Sequence, residues 1–282
     1  MSNAGDSLRI FLDGASSVAL LEVAGAKGST PREKGAWMLV SAKGIFGTIG
    51  GGQLEYMAID EARQLLRGTR RHSHESRGLH LDVPLGPEIG QCCGGRVDVA
   101  ISLVDGAKRN ALVEMITAEE KRQPHILIFG GGHVGHALAA SLALLPVRPV
   151  IVETRAEALE GMPAGVETKL TAMPEEMVRD APAGSAFVIL THDHALDFLI
   201  AAEALKRKDA AYVGMIGSKT KKATFRSWYL KTAGGSEAEF ARLVSPIGGD
   251  AVKDKRPAVI AALASAEIMT AVLIKQAARI GA

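Results

Sequence analysis

The stretch His125–Thr154, HILIFGGGHVGHALAASLALLPVRPVIVET, decides the fold of this chain. Its short apolar start, His125–Phe129, follows Pro124 and runs straight into Gly130-Gly131-Gly132-His133-Val134-Gly135. That segment holds G-x-G-x-x-G at Gly130, Gly132 and Gly135. An Ala- and Leu-rich helix, His136–Leu145, and a branched strand, Val147–Val152, follow, and the strand ends in Glu153. In such a unit the first glycine makes the turn and the second lets a pyrophosphate approach the backbone. The third lets helix and strand pack closely, with the phosphate on the helix N-terminus. Glu153 stands where an acidic side chain bonds a ribose hydroxyl. The order of parts predicts a βαβ unit; whether it holds a dinucleotide is a separate question.

Downstream, short strands at Val166–Leu170, Ala186–Leu190 and Ala211–Ile216 alternate with helices at Pro174–Val178 and Ala195–Lys206, one begun by the basic cluster Gly217–Lys222 and running through Trp228 and Tyr229, and one at Arg256–Arg279. The uninterrupted apolar run AFVIL suits a strand covered on both faces, and the alternation predicts a Rossmann-like, doubly wound parallel sheet. Ligands of such sheets lie outside the C-terminal strand ends. Those ends present Gly130–Gly135, Glu153, Thr191-His192-Asp193-His194 and Gly217-Ser218-Lys219. His192 and His194 read either as acid/base or polar ligand contacts, or as bystanders beside a helix-capping Asp193. Ser218 and Lys219 suit a phosphate, whereas Lys221 and Lys222 read as a solvated basic helix start. His133 is bulkier than a standard NAD loop carries.

Upstream, Pro124 marks a boundary between an N-terminal α/β domain, 6–123, and the Rossmann-like domain, 124–282. The first domain reads as helix Asp6–Asp13, strand Ser17–Ala24, a loop from Gly25 to Arg32, strands Ala36–Ser41 and Ile45–Ile49, and helix Gln53–Leu66. Strand, Gly50-Gly51-Gly52 and helix again have the layout of an anion-binding turn, and also that of a tight turn burying backbone. His72, His74 and His80 share one face of an extended chain, but Arg70, Arg71 and Arg77 around them favour a solvated face over a metal site. Val83–Gly95, rich in Gly and Pro, reads as an irregular displayed loop. It carries Cys92-Cys93-Gly94-Gly95 before strand Arg96–Val104 and helix Ala107–Gln123. Glycine N–H groups and Arg96 lower a thiol pKa, making Cys93 or Cys92 a soft metal ligand or sulfur acceptor. Two adjacent buried cysteines are the alternative.

Composition excludes several classes. A net charge of +2 offers no strong field for nucleic acid or membrane, and 4% aromatic residues leave little for base stacking. Two cysteines cannot build a disulfide framework, and no N-terminal signal pattern is present, which points to the cytoplasm. Pro257–Ile274 is long and apolar but Ala-rich and contains Glu267; it reads as a buried or interface helix, which leaves homo-oligomerisation open.

Taken together, Gly28-Ser29-Thr30-Pro31-Arg32, Gly47-Thr48-Ile49-Gly50-Gly51-Gly52-Gln53-Leu54-Glu55 and Cys93-Gly94-Gly95 resemble the N-terminal signature of the xanthine dehydrogenase accessory protein (XdhC/CoxI) family. Phe129–Gly135, Thr191–His194, Tyr212–Ser218 and Pro246-Ile247-Gly248 resemble its C-terminal Rossmann domain. The resemblance spans roughly Val18 to Met269. It implies a non-catalytic chaperone that holds the molybdenum cofactor (molybdopterin) while a cysteine desulfurase sulfurates it, then delivers it to xanthine dehydrogenase. On that reading Cys93 is a molybdenum ligand or sulfur-handling residue. The chain departs from the family pattern at Glu153-Thr154-Arg155, where an acidic pair is expected, and at Gly249–Asp254. The competing reading is an NAD(P)-dependent oxidoreductase with Glu153 on the ribose and His192 or His194 as proton donor. It leaves Gly50–Gly52 and Cys92-Cys93 unexplained.

Overall fold

The computed structural model describes residues 4–68, 79–86 and 94–280, and the chain divides into two compact units between Lys121 and Arg122. The first unit is built on β1 (Val18–Lys27), β2 (Trp37–Ser41), β3 (Ile45–Gly47), β4 (Leu79–Pro84) and β5 (Arg96–Leu103). They pair antiparallel in the order β3-β2-β1-β5-β4. Because side chains alternate along a strand, β1 and β2 feed two cores at once. Ala19, Leu21, Met38 and Val40 pack with Leu54, Ala58 and Ala62 of α2 (Gly52–Leu66). Val18 and Leu39 pack with Leu8 and Leu12 of α1 (Ala4–Asp13) and with Leu112 and Ile116 of α3 (Gly106–Arg122). Sheet between two helical layers is the result.

Two sequence expectations change here. The first strand does not stop at Ala24: after a register shift between Val23 and Gly25 it continues to Lys27, paired with Arg96. A glycine inside a strand marks such a bulge, and the loop-like composition of Gly25–Lys27 concealed it. Val83 and Leu85 are not displayed. Both are buried in the α2-side core, and Leu85 exchanges backbone bonds with Gly94 and Gly95 at 2.8 Å. Pro84 is tolerated because β4 is an edge strand.

The second unit has β6 (His125–Phe129), β7 (Arg148–Glu153), β8 (Glu167–Leu170), β9 (Ala186–Ile189), β10 (Tyr212–Met215) and β11 (Leu243–Val244). They form a parallel sheet ordered β11-β10-β9-β6-β7-β8. Counted from β6 this is 3-2-1-4-5-6, the Rossmann order, with its switch point between β6 and β9. Central strands β9 and β10 are buried along their whole length, whereas edge strand β8 is open and charged. α4 (His133–Leu142) and α9 (Pro257–Ile280) cover one face; α5 (Pro174–Asp180), α6 (His194–Lys206) and α7 (Lys219–Lys231) cover the other. The short α8 (Glu237–Phe240) and β11 were not anticipated. A capping box of Ser236 and Glu239 starts α8.

α9 is long and apolar enough to cross a membrane by length and composition alone. Here Ala261, Ala264, Ile268 and Val272 share a core with Leu138, Ala139 and Leu142 of α4. Its Glu267 accepts from the Tyr212 hydroxyl and from Gly248 N (3.3 Å), tying the Pro246-Ile247-Gly248 loop to the helix. Burial and the Glu267 carboxylate hold the Tyr212 phenol far above its ordinary range.

Candidate functional site

Each glycine of the β6–α4 loop has a distinct job. Gly130 has φ +119°, and a Cβ there would lie 2.6 Å from Leu190 O, so the turn at the switch point admits only glycine. At Gly135 a Cβ would sit 2.1 Å from Gly130 O, which is why α4 starts directly against its own loop. Gly132 differs: nothing lies within 4 Å of its Cβ direction, and it caps α4 with no side-chain bond to the first-turn N–H groups. The helix therefore begins at His133, three residues earlier than the sequence suggests, and presents an exposed, uncapped N-terminus. That cradle fits a phosphate.

Glu153 lies at the end of β7, 5% exposed. Its Oε2 accepts from Gly131 N (2.9 Å) and faces Arg155 Nη2 (3.5 Å). Its Oε1 accepts from Thr154 N (2.8 Å), Thr154 Oγ1 (3.2 Å) and Arg155 N (3.2 Å). Burial pushes its pKa up, but the bonds from Gly131, Thr154 and Arg155 outweigh it and the carboxyl sits below the ordinary range. In this arrangement the carboxylate braces the glycine loop, and its oxygens are engaged within the chain. Arg155, partly exposed beside it, is a cation the sequence reading passed over.

The loops after β9 and β10 are joined by an ion pair. Asp197, 0% exposed in the first turn of α6, accepts from Thr191 N (3.0 Å) and Thr191 Oγ1 (2.7 Å) and pairs with the Lys221 ammonium. Lys221, its side chain 8% exposed, also donates to Ile216 O (3.0 Å). It is no solvated helix start. Gly217 leaves room for its fold-back, since a Cβ there would meet Lys221 Cδ at 2.6 Å. Asp193 caps α6 through Ala195 N (2.8 Å), and Ser218 caps α7 through Lys221 N (3.2 Å). His192, His194 and Lys219 are exposed and make no side-chain hydrogen bond among the described residues.

In the first unit three loops converge on one corner of the sheet. A Cβ on Gly50 would lie 2.7 Å from Pro31 Cγ, and one on Gly95 would lie 2.2 Å from Ser29 O. Gly28 likewise faces Gly95 Cα at 3.2 Å. Segment 28–32 thus packs backbone to backbone on Gly95 and sets its Pro31 ring against Gly50. Gly50, Gly51 and Gly52 all have positive φ. The anion this loop holds is internal: Glu55 Oε2 accepts from Thr48 Oγ1 (2.5 Å), Gly51 N (3.0 Å) and Ile49 N (3.1 Å). An acid four residues after Gly51, in the first turn of a helix, was the sequence signal for it. His80 lies exposed on β4 with Nδ1 3.0 Å from Asp98, a solvated pair. Cys92, Cys93, His72 and His74 lie outside the described residues, Cys93 being the sequence neighbour of Gly94.

Comparison with known proteins agrees with this anatomy. The model of the XdhC Rossmann domain matches residues 126–268, and that of the XdhC and CoxI family matches residues 12–75. An uncharacterized Escherichia coli protein, YqeB, is 30% identical over 269 residues, covering 89% of this chain. The chain spans 43% of that relative's length. A crystal structure of a xanthine dehydrogenase from Bacillus halodurans shares the fold, with a TM-score of 0.77 at 16% identity over 96% of both chains. With its Rossmann strand order, glycine cradle and N-terminal loop junction all in place, this chain belongs to the XdhC and CoxI family.

Proposed function

We propose that this chain serves a xanthine dehydrogenase as an accessory protein: it holds the molybdenum cofactor while a cysteine desulfurase sulfurates it, then releases it to the enzyme. The observation that carries this reading is the corner of the first unit. There the segments of the family signature pack against one another, and Gly94 and Gly95 lead out of the Cys92-Cys93 pair. Cysteine thiolate is a soft donor for molybdenum or sulfur, and here the Gly94 N–H is spent on Leu85 O (2.8 Å), which fixes the strand end that leads out of the pair. The α4 N-terminus supports the same reading with an uncapped seat for a phosphate-bearing group. When bound, the cofactor supplies the metal and the dithiolene; the chain's residues bind and shield it. The setting proposed is cytoplasmic, where thiols stay reduced. The oxidoreductase reading keeps the nucleotide seat, but it needs an oriented acid, and among the described residues His192 and His194 have no orienting partner.

The test is molybdenum and pterin content of protein purified from a molybdenum-sufficient host, together with activation of the cognate dehydrogenase. Wild-type protein should carry both, and Cys93→Ser should lose bound molybdenum with an unchanged melting curve, while Cys92→Ser loses less. A tightly bound nicotinamide nucleotide with no molybdenum would overturn the reading.

A further inference from the structure

The first unit contains a cavity of about 660 Å³ beside the signature loops. It is lined by the loop Pro31–Trp37, by Phe46, Gly47 and Thr48, and by Glu119 of α3. Its volume is that of a small-molecule site. Trp37 and Phe46 are half-buried, with ring centroids 6.0 Å apart and planes within 26°; Phe11 props Phe46 at 6.0 Å. The loop is held at its base, since Gly35 N donates to Val23 O (2.9 Å) and Val23 N to Ala36 O (2.8 Å). Arg32 and Lys34 ride on that pinned loop, exposed and with no carboxylate partner among the described residues. Glu33 and Glu119 also line the cavity, equally exposed.

Aromatic surface, exposed cations and two exposed carboxylates in one cavity make a specific chemical request. Flat rings pack on Trp and Phe, and phosphate is drawn to Arg and Lys. A carboxylate accepts from a donor edge such as the adjacent N–H groups of a 2-amino-4-oxo-pyrimidine ring. We propose that this cavity seats a planar heteroaromatic phosphate: ring against Trp37 and Phe46, phosphate on Arg32 and Lys34, amino edge on Glu119. Pterin and guanine share that edge. The choice of a pterin rests on the cofactor-holding role proposed above; the site itself does not.

The chain has two tryptophans, so in Trp228→Phe protein Trp37 fluorescence reports this cavity alone. Titration with GMP and with a monophosphorylated pterin should quench it saturably below about 1 mM. Arg32→Ala and Lys34→Ala should each weaken binding about tenfold. Glu119→Gln should weaken both ring ligands, and inorganic phosphate alone should leave Trp37 unaffected. If Trp228→Phe fails to fold, Trp37→Phe in the otherwise native chain must abolish the quench. Absence of saturable quenching, or quenching indifferent to Arg32 and Lys34, overturns the site. The pterin content of purified protein separates the two proposals. Full retention of pterin by the Arg32→Ala, Lys34→Ala double variant leaves the cofactor role standing and removes this cavity as its seat. Wild-type protein without pterin but with Arg32-dependent GMP binding removes the cofactor role and supports the site.

Discussion

Replacing Asp197 tests whether the ligand edge of the Rossmann sheet is held by one buried pair. The carboxylate is 0% exposed and the Lys221 side chain 8%, and between them they tie the Thr191 turn to the Ile216–Gly217 turn. In Asp197→Ala the ammonium keeps Ile216 O and the Thr191 N–H loses its acceptor, while the Thr191 hydroxyl keeps Asp193 O (2.9 Å). Removing one partner of a buried pair costs about 3–5 kcal/mol. At roughly 2–4 °C per kcal/mol for a unit of this size, the transition should fall by about 6–20 °C. Lys221→Met should sit near the low end, because Thr191 still donates twice to the stranded carboxylate. The double variant Asp197→Leu, Lys221→Met removes both charges and should cost less than either single change. Trp228 lies in the second unit and Trp37 in the first, so fluorescence melts of Trp37→Phe protein isolate the relevant transition. Single variants within about 1 kcal/mol of wild type, or a double variant that costs the sum of the two, would refute the reasoning.

Gly135→Ala should destabilise by about 1–3 kcal/mol, since its Cβ meets Gly130 O at 2.1 Å, whereas Gly132→Ala meets nothing and should melt within about 1 kcal/mol of wild type while losing retained cofactor. Glu153 has a folded pKa below its ordinary 4.5, so its contribution is complete above that pH and is lost as pH falls through the folded value. Acid melts of Glu153→Gln should therefore lose part of the wild-type slope below pH 4.5; an unchanged slope excludes this carboxylate as a source. Glu55→Gln weakens a charged acceptor for Thr48, Ile49 and Gly51 and should cost about 1–3 kcal/mol in the unfolding of the first unit, read from Trp37 in Trp228→Phe protein. An unaffected midpoint would mean that the triple-glycine turn holds itself.

Much of the Rossmann unit was legible because its signals are local. Glycines at Gly130, Gly132 and Gly135, unbroken apolar strands and the Asp193 cap each depend on a few neighbours in sequence. The N-terminal sheet was less legible: a bulge carries β1 through Gly25, and an edge position lets Pro84 end a strand, and both depend on strand partners outside the local sequence. The same holds for the charges. Lys221 looks like any other lysine of Lys219–Lys222 until Gly217 lets it fold back onto Asp197. Glu153 looks like a ribose ligand until Gly131 N, 22 residues earlier, is found on its oxygen. Sequence alone determined the βαβ core, the glycine cradle and the family signature, because backbone conformation and strand burial follow from residue type at short range. Only the tertiary structure decided which carboxylates are already engaged, which lysine is buried, and which three loops share a corner, because desolvation and hydrogen-bond partners belong to packing in space.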